Sequence, residues 1–146
     1  MADKDIEIQL VKQWPDEEII HLYKEAGWWK ETYNKSTIQN MIKGSFVFAV
    51  IIDRKTKKTI GMGRVLSDGV SDAYIQDLMI LPGYRKQGIG KKLLVTLLHY
   101  CLKHKIMWIG LIAEPGTEPF YRSAGLQQMK NHIPMRYELV NNHDQF

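Results

Sequence analysis

Cysteine is almost absent from this chain of 146 residues: Cys101 stands alone. No intrachain disulfide can form, and a metal site built on several thiolates is excluded. Long apolar runs are missing as well. The longest, Phe46–Ile52, falls far short of the ~20 residues that a membrane-spanning helix needs. The opening residues, Met1-Ala2-Asp3-Lys4-Asp5-Ile6-Glu7, lack the apolar stretch of a secretory leader. The expectations are therefore a cytoplasmic location and no membrane partner. His21, His99, His104, His132 and His143 show no ligand spacing, so no metal is expected. Repeats, low-complexity tracts and linkers are lacking too, and the length suits one domain over residues 1–146.

Charge is present in both signs. Lys and Arg number 20 against 16 Asp and Glu, a formal net charge of +4. That balance suits an anionic ligand and is compatible with nucleic acid. The positive charge is dispersed except at Arg54-Lys55-Thr56-Lys57-Lys58. This knot sits between two strand-like runs, so it reads as a solvated hairpin turn, and nucleic-acid binding is the lesser reading.

Periodicity divides the chain into elements. Ile6–Val11 alternates apolar and polar residues, as a strand does. Pro15-Asp16-Glu17-Glu18 is first-turn helix chemistry, and Gly27 is a stop. Ser36 can cap a short helix ending at Gly44. Phe46–Ile52 and Thr59–Leu66 form a hairpin, and a turn at Ser67-Asp68-Gly69 leads to the strand Ala73–Ile80. The next helix, amphipathic over 91–105, has Ile89 at its start in one stripe with Leu93, Leu94, Leu97, Leu98, Cys101 and Leu102. Met107–Ala113 reads as a strand buried on both faces. Thr117 can cap a helix with Pro119 in its first turn. Weaker strands over Leu126–Met129 and Pro134–Val140 end the chain. The order is β-α-α-β-β-β-α-β-α-β-β, an α/β class with a mixed, mostly antiparallel sheet flanked by helices.

Arg85-Lys86-Gln87-Gly88-Ile89-Gly90 lies where strand hands over to helix. The first N–H groups of a helix have no intrahelical partner, and the macrodipole adds partial positive charge there. Glycines admit an anion close to the backbone, and Arg85 and Lys86 add charge. The pattern is neither a Walker A loop nor a complete dinucleotide fingerprint. Alone it could be a tight turn and nothing more.

Its context is more specific. The stretch from Tyr74 through Asp77, Arg85, Gly88 and Gly90 to Leu94 closely resembles motif A of the GNAT (GCN5-related) N-acetyltransferases: a strand, a pyrophosphate loop and a helix. Gly110–Gly116 followed by Pro119-Phe120-Tyr121-Arg122-Ser123-Ala124-Gly125-Leu126 resembles the family's motif B. The first ~45 residues match only in element pattern. The resemblance implies the acyl-CoA N-acyltransferase fold, with its parallel strand pair splayed, and acetyl-CoA as co-substrate.

The resemblance also implies roles. Backbone N–H groups of Gln87, Gly88, Ile89, Gly90 and Lys91, with Arg85 and Lys86, would hold the pyrophosphate. Helix-terminus terms of roughly 0.3–1 kcal/mol each add up for a polyanion. Leu78, Met79 and Ile80 would pair with the pantetheine amides, and an N–H near Met79 would polarise the thioester carbonyl. Tyr121 would protonate the departing thiolate, which a phenol with an ordinary pKa near 10 can do. Phe120 would pack beside the cofactor.

Asp77 and Glu114 are the candidates for the base or for ammonium binding. Strand alternation places Gln76 and Asp77 on opposite faces. Arg64, Asp68, Gln76, Trp28 and Trp29 are the candidate acceptor residues, with an Arg64–Asp68 brace as the plainer reading of that pair. Adjacent tryptophans cannot share one helical face, so one can cover the core while the other lines a pocket. Cys101, on the buried stripe, reads as core.

The expected activity is acetyl transfer to a primary amine by direct attack in a ternary complex. The acceptor is a small arylalkylamine- or polyamine-like amine, or a protein lysine. A non-catalytic CoA-binding module is the alternative. The sequence is also compatible with a homodimer.

Overall fold

Alternation over Ile6–Leu10 forms strand β1, which pairs antiparallel with β2, Val47–Asp53. β2 turns through the Lys-rich hairpin into β3, Thr59–Ser67, and β3 pairs antiparallel with β4, Asp72–Ile80. β5, Trp108–Gly110, lies parallel to β4 at the end of the sheet, so strand order follows chain order. The computed structural model describes residues 5–139. They divide into two compact units, one reaching Leu111 and one beginning at Ile112.

Helices cover both faces of the first unit. α1, Asp16–Glu25, follows Pro15 as N-cap and has three acids in its first turn, where the macrodipole favours them. α2, Ile38–Gly44, follows a single 3₁₀ turn at Lys35–Thr37. Ile19, Ile20, Leu22, Tyr23, Ile38 and Ile42 bury themselves against Phe48, Val50, Met62 and Met79 of the sheet. Full burial of such an aliphatic side chain is worth about 1.5–3 kcal/mol.

α3, Ile89–Lys103, packs on β2, β3 and β4. A β-carbon on Gly63 would stand 3.1 Å from Leu97 Cδ1 and 3.3 Å from Leu93 Cδ2. Gly63 therefore lets α3 approach, and Met62 and Arg64 beside it point to the α1 side. Of the stripe read from sequence, Ile89, Leu93, Leu94, Leu97 and Cys101 are buried, whereas Leu102 is exposed because the helix turns it off the sheet. No helix among the described residues is long and apolar enough to cross a membrane.

Two irregularities shape the sheet. Between Met62↔Met79 and Arg64↔Gln76 the register of β3 and β4 shifts, so Asp77 and Leu78 stand against Gly63 alone. This is a β-bulge, and Asp77 within it has φ of 55°. The pairing of β4 with β5 is confined to Asp72↔Trp108, Ala73↔Ile109 and Tyr74↔Gly110. Beyond Tyr74, β4 runs on to Ile80 without β5 beside it.

Several sequence expectations change here. The strand expected over Met107–Ala113 shortens to Trp108–Gly110, and Met107 and Trp108 are exposed. A strand exists only where a neighbour completes its ladder, and the partner strand is lost after Gly110. The second unit holds α4, Glu118–Ser123, and no strand over residues 126–139. Ile133, Met135, Tyr137 and Leu139 alternate as a strand would, yet all four are exposed and form no strand. Val140 and His143 lie outside the described residues.

Two caps also differ. Asn34, rather than Ser36, caps the turn before α2, its Oδ1 accepting from the Ser36 N–H at 3.0 Å. Thr117 precedes α4, but its hydroxyl donates to the Glu114 carbonyl at 2.6 Å instead of capping.

Candidate active site

β4 carries the site's first part. With β5 gone past Tyr74, the outer edge of Ile75–Ile80 has no neighbouring strand among the described residues. Met79 pairs with Met62 of β3, and alternation turns the peptide groups of Leu78 and Ile80 to that edge. An extended ligand bearing amides can add to such an edge as a further strand. Gly61 backs this segment closely: a β-carbon there would come within 2.9 Å of the Met79 carbonyl.

The second part follows at once. Leu81 N–H donates to the Ile80-facing neighbour strand at Ile60 O, 2.9 Å. A 3₁₀ turn over Pro82–Tyr84 then redirects the chain. Lys86 (φ 61°) and Gly88 (φ 80°) adopt left-handed backbone before α3 begins. Gly88 is the N-cap of α3, and no side chain caps the helix. A β-carbon at Gly88 would meet nothing within 4 Å. Conformation rather than crowding thus calls for glycine there, and the space over the helix start is open. The first-turn N–H groups of Ile89, Gly90 and Lys91 face that space without intrahelical acceptors.

The side chains of this loop divide their tasks. Arg85 Nε donates to the Ile80 carbonyl at 2.8 Å, so Arg85 braces the turn as well as adding charge. Lys86 and Lys91 are exposed, Gln87 reaches the Gly83 carbonyl only at 3.5 Å, and the Ile89 side chain is buried in the core.

Sequence reasoning missed the anchor beneath. Tyr84 donates its hydroxyl to Asp53 Oδ2 at 2.8 Å, and Asp53 Oδ1 accepts from Lys55 N–H at 2.8 Å. The Tyr84 hydrogen bond holds the Asp53 carboxyl below its ordinary range, and the same bond pushes the Tyr84 phenol up. The basic hairpin and the glycine loop are therefore tied at one end of the sheet. An acid ending the apolar β2 run was the available signal.

The third part is a polar knot on the α1 face. Arg64 Nε donates to Asp77 Oδ2 at 2.6 Å, and Tyr23 Oη donates to the same oxygen at 2.7 Å. Arg64 Nη2 lies 3.4 Å from Gln76 Oε1. Gln76 and Asp77 thus share a face, contrary to simple alternation, because the bulge turns two successive residues the same way.

Burial foremost, and then the Asp77 charge, pushes the Tyr23 phenol well above its ordinary value, so Tyr23 stays a donor. The Trp28 ring lies 6.3 Å from that of Tyr23. Trp29 packs edge-on to Tyr33 at 5.5 Å, and its buried Nε1 makes no hydrogen bond. Trp28, Asp77, Arg64 and Gln76 are therefore linked through Tyr23, which sequence periodicity marks only as a core position.

Asp68 stands apart from this knot. Its Oδ1 accepts from Val70 and Ser71 N–H, both at 2.8 Å, and the Ser71 hydroxyl bonds its Oδ2. Those bonds, the backbone ones first, hold its carboxyl below the ordinary range. It closes the turn between β3 and β4, and Arg64 pairs with Asp77 in place of the expected Asp68.

In the second unit, the Phe120 and Tyr121 rings are 5.0 Å apart and nearly perpendicular. Burial, and then the Glu114 charge, raises the Tyr121 phenol above its ordinary value. Glu114 itself is exposed.

A mixed sheet whose parallel pair parts beside a glycine-opened helix N-terminus defines an acyltransferase-type α/β domain. A GNAT-family acetyltransferase from Streptococcus pneumoniae TIGR4 shares this fold with a TM-score of 0.74 and 27% identity, over 93% of this chain and 98% of that one. The chain belongs to the GNAT acetyltransferase family, whose domain model, "Acetyltransferase (GNAT) domain", matches residues 11–138. A Glycine max protein named histone acetyltransferase TAP1 is 32% identical over 73% of this chain and 49% of its own length. The N-acetyltransferase ycf52 of Pyropia yezoensis is 31% identical over 84% of this chain and 70% of its own. The chain thus spans about half the length of the soybean relative.

Proposed function

We propose that this protein transfers an acetyl group from acetyl-CoA to a primary amine by direct attack in a ternary complex. One observation carries the reading: the open edge of β4 runs straight into the uncapped, glycine-opened start of α3. An edge for amides followed by N–H groups for phosphate fits a long ligand with a pantetheine arm and a pyrophosphate. Leu78, Met79 and Ile80 would hold the arm. Gln87, Gly88, Ile89, Gly90 and Lys91, with Arg85 and Lys86, would hold the phosphates.

Acetyl-CoA supplies an acetyl group activated as a thioester. The chain's own residues supply the rest. A backbone N–H near Met79 stabilises negative charge developing on the carbonyl oxygen. Tyr121, whose phenol is raised above its ordinary value, would serve as proton donor to the leaving thiolate.

Asp77 has Oδ2 occupied by Arg64 and Tyr23, and Oδ1 makes no hydrogen bond among the described residues. A carboxylate held this way suits binding an ammonium better than removing its proton. Glu114, exposed, is left as the base candidate. The name of the soybean relative supports a protein lysine as acceptor, and the Trp28–Tyr23 pair supports an amine with apolar flanks.

The test is free-thiol release from acetyl-CoA across a panel of polyamines, arylalkylamines and lysine peptides. Amine-dependent thiol release supports transfer. Tight acetyl-CoA binding with no release for any amine would instead make the protein a CoA-binding module.

A further inference from the structure

Asp77 is unusual among the described residues. Lys57, Lys86, Lys105 and Asn131 also have positive φ, but each lies in a turn or loop, whereas Asp77 lies inside a strand. Left-handed backbone is disfavoured for residues with a β-carbon, even for Asp, and persists only where the surroundings impose it. Here the surroundings are two donors on one oxygen: Arg64 Nε at 2.6 Å and Tyr23 Oη at 2.7 Å.

Arg64 belongs to β3, the strand against which the bulge forms. Tyr23 belongs to α1 and is buried in the core between helix and sheet. Its hydroxyl also lies 3.3 Å from Met41 Sδ. The tie therefore fastens β4 to a helix across the core, from a side that strand pairing cannot reach. The bulge in turn sets how Leu78, Met79 and Ile80 present their peptide groups, because every residue after it is displaced by one position against β3.

We infer that Tyr23 is a positioning residue for acetyl transfer. Through Asp77 it holds the β4 bulge, and with it the open peptide edge of Leu78–Ile80. The inference rests on the acetyltransferase reading above. Tyr23 would touch neither substrate; it acts through Asp77.

Tyr23→Phe keeps the ring and removes the tie. Amide hydrogen exchange in the ligand-free protein gives a readout independent of turnover. Exchange at Met62 and Met79, the ladder pair beside the bulge, should rise about tenfold in the variant while Val50 and Ile51 in β2 keep their protection. In steady state, kcat/KM for the amine should fall about tenfold or more. In the double variant Tyr23→Phe/Asp77→Asn, the loss should be smaller than the product of the two single losses, since one change removes the tie that the other weakens.

Unchanged exchange at Met62 and Met79, or exchange raised equally throughout the sheet, would reduce Tyr23 to ordinary core packing and overturn the inference. So would changes in kcat/KM that multiply independently in the double variant. Should the unaltered protein release no thiol with any amine, the acetyltransferase reading fails and the role in transfer fails with it. The exchange result would still decide whether Tyr23 holds the bulge.

Discussion

Arg64 Nε and Asp77 Oδ2 lie 2.6 Å apart, and both side chains are largely buried. The contact joins β3 to the one bulge in β4, and it brings Gln76 to the same guanidinium. A positive φ of 55° at Asp77 is what turns its carboxylate onto that face.

Asp77 should consequently tolerate asparagine better than alanine. Asn accepts left-handed backbone almost as readily as Asp, but it leaves the Arg64 charge poorly paired, at about 1–3 kcal/mol. Alanine adds the cost of a β-carbon in that conformation, roughly 1–2 kcal/mol more. Urea denaturation of both variants measures the difference. Equal losses would show that the backbone at Asp77 is relaxed rather than imposed.

Glycines 61 and 83 should respond oppositely. A β-carbon on Gly61 would lie 2.7 Å from Ile80 Cδ1 and 2.9 Å from the Met79 carbonyl, and a backbone oxygen cannot step aside cheaply. Gly61→Ala should cost about 1–3 kcal/mol. A β-carbon at Gly83 meets nothing within 4 Å, so Gly83→Ala should be neutral or slightly stabilising. Thermal unfolding of the pair checks this, and a matched loss at both sites would contradict the packing described.

Tyr121→Phe should lower kcat by about 100-fold, at the modest end of general acid catalysis, with acetyl-CoA affinity unchanged. Because the folded phenol is raised above its ordinary 10.0, the protonated donor persists through neutral pH. The alkaline loss of kcat due to this group should accordingly fall above pH 10. A variant with normal kcat would remove Tyr121 from the chemistry.

Acid should find the Asp53–Tyr84 tie. Asp53 is held below its ordinary 3.8 when folded, so its contribution is present above 3.8 and is lost as pH falls through the folded value. Tyr84 has the opposite sign: raised above 10.0 when folded, it contributes below that pH and loses its contribution as pH rises through the folded value. Tyr84→Phe should weaken both effects, flattening the melting-temperature profile at its acid and alkaline ends. An NMR titration that leaves the Asp53 carboxyl where it was in the variant would refute the assignment.

Much of this was legible in the chain. Pro15, Gly27, the Lys-rich turn and Gly88 mark boundaries by chemistry confined to one or two residues, and the structure keeps those boundaries within a residue or two. The glycine-containing basic loop before α3 was legible for the same reason, since its glycines and basic residues lie close together in sequence. Gln76 and Asp77 were misread, because alternation assumes an unbroken register and nothing local announces a bulge. Tyr23 was invisible as a polar partner: on an amphipathic helix it reads as one more core residue. The strands expected over 126–129 and 134–140 show the converse: an alternating pattern that forms no strand among the described residues up to 139.

What the sequence by itself determined is the order of elements as far as α4, the hairpin, the glycine-opened helix and the family. Those follow from periodicity and turn chemistry, which act over a few residues. Tertiary structure alone decided which side chains meet. Tyr23 and Asp77 stand 54 positions apart, and Arg64 and Asp77 stand 13 apart. They converge because one extra residue in β4 reverses the facing of a side chain, and only pairing with β3 and packing under α1 can set that register.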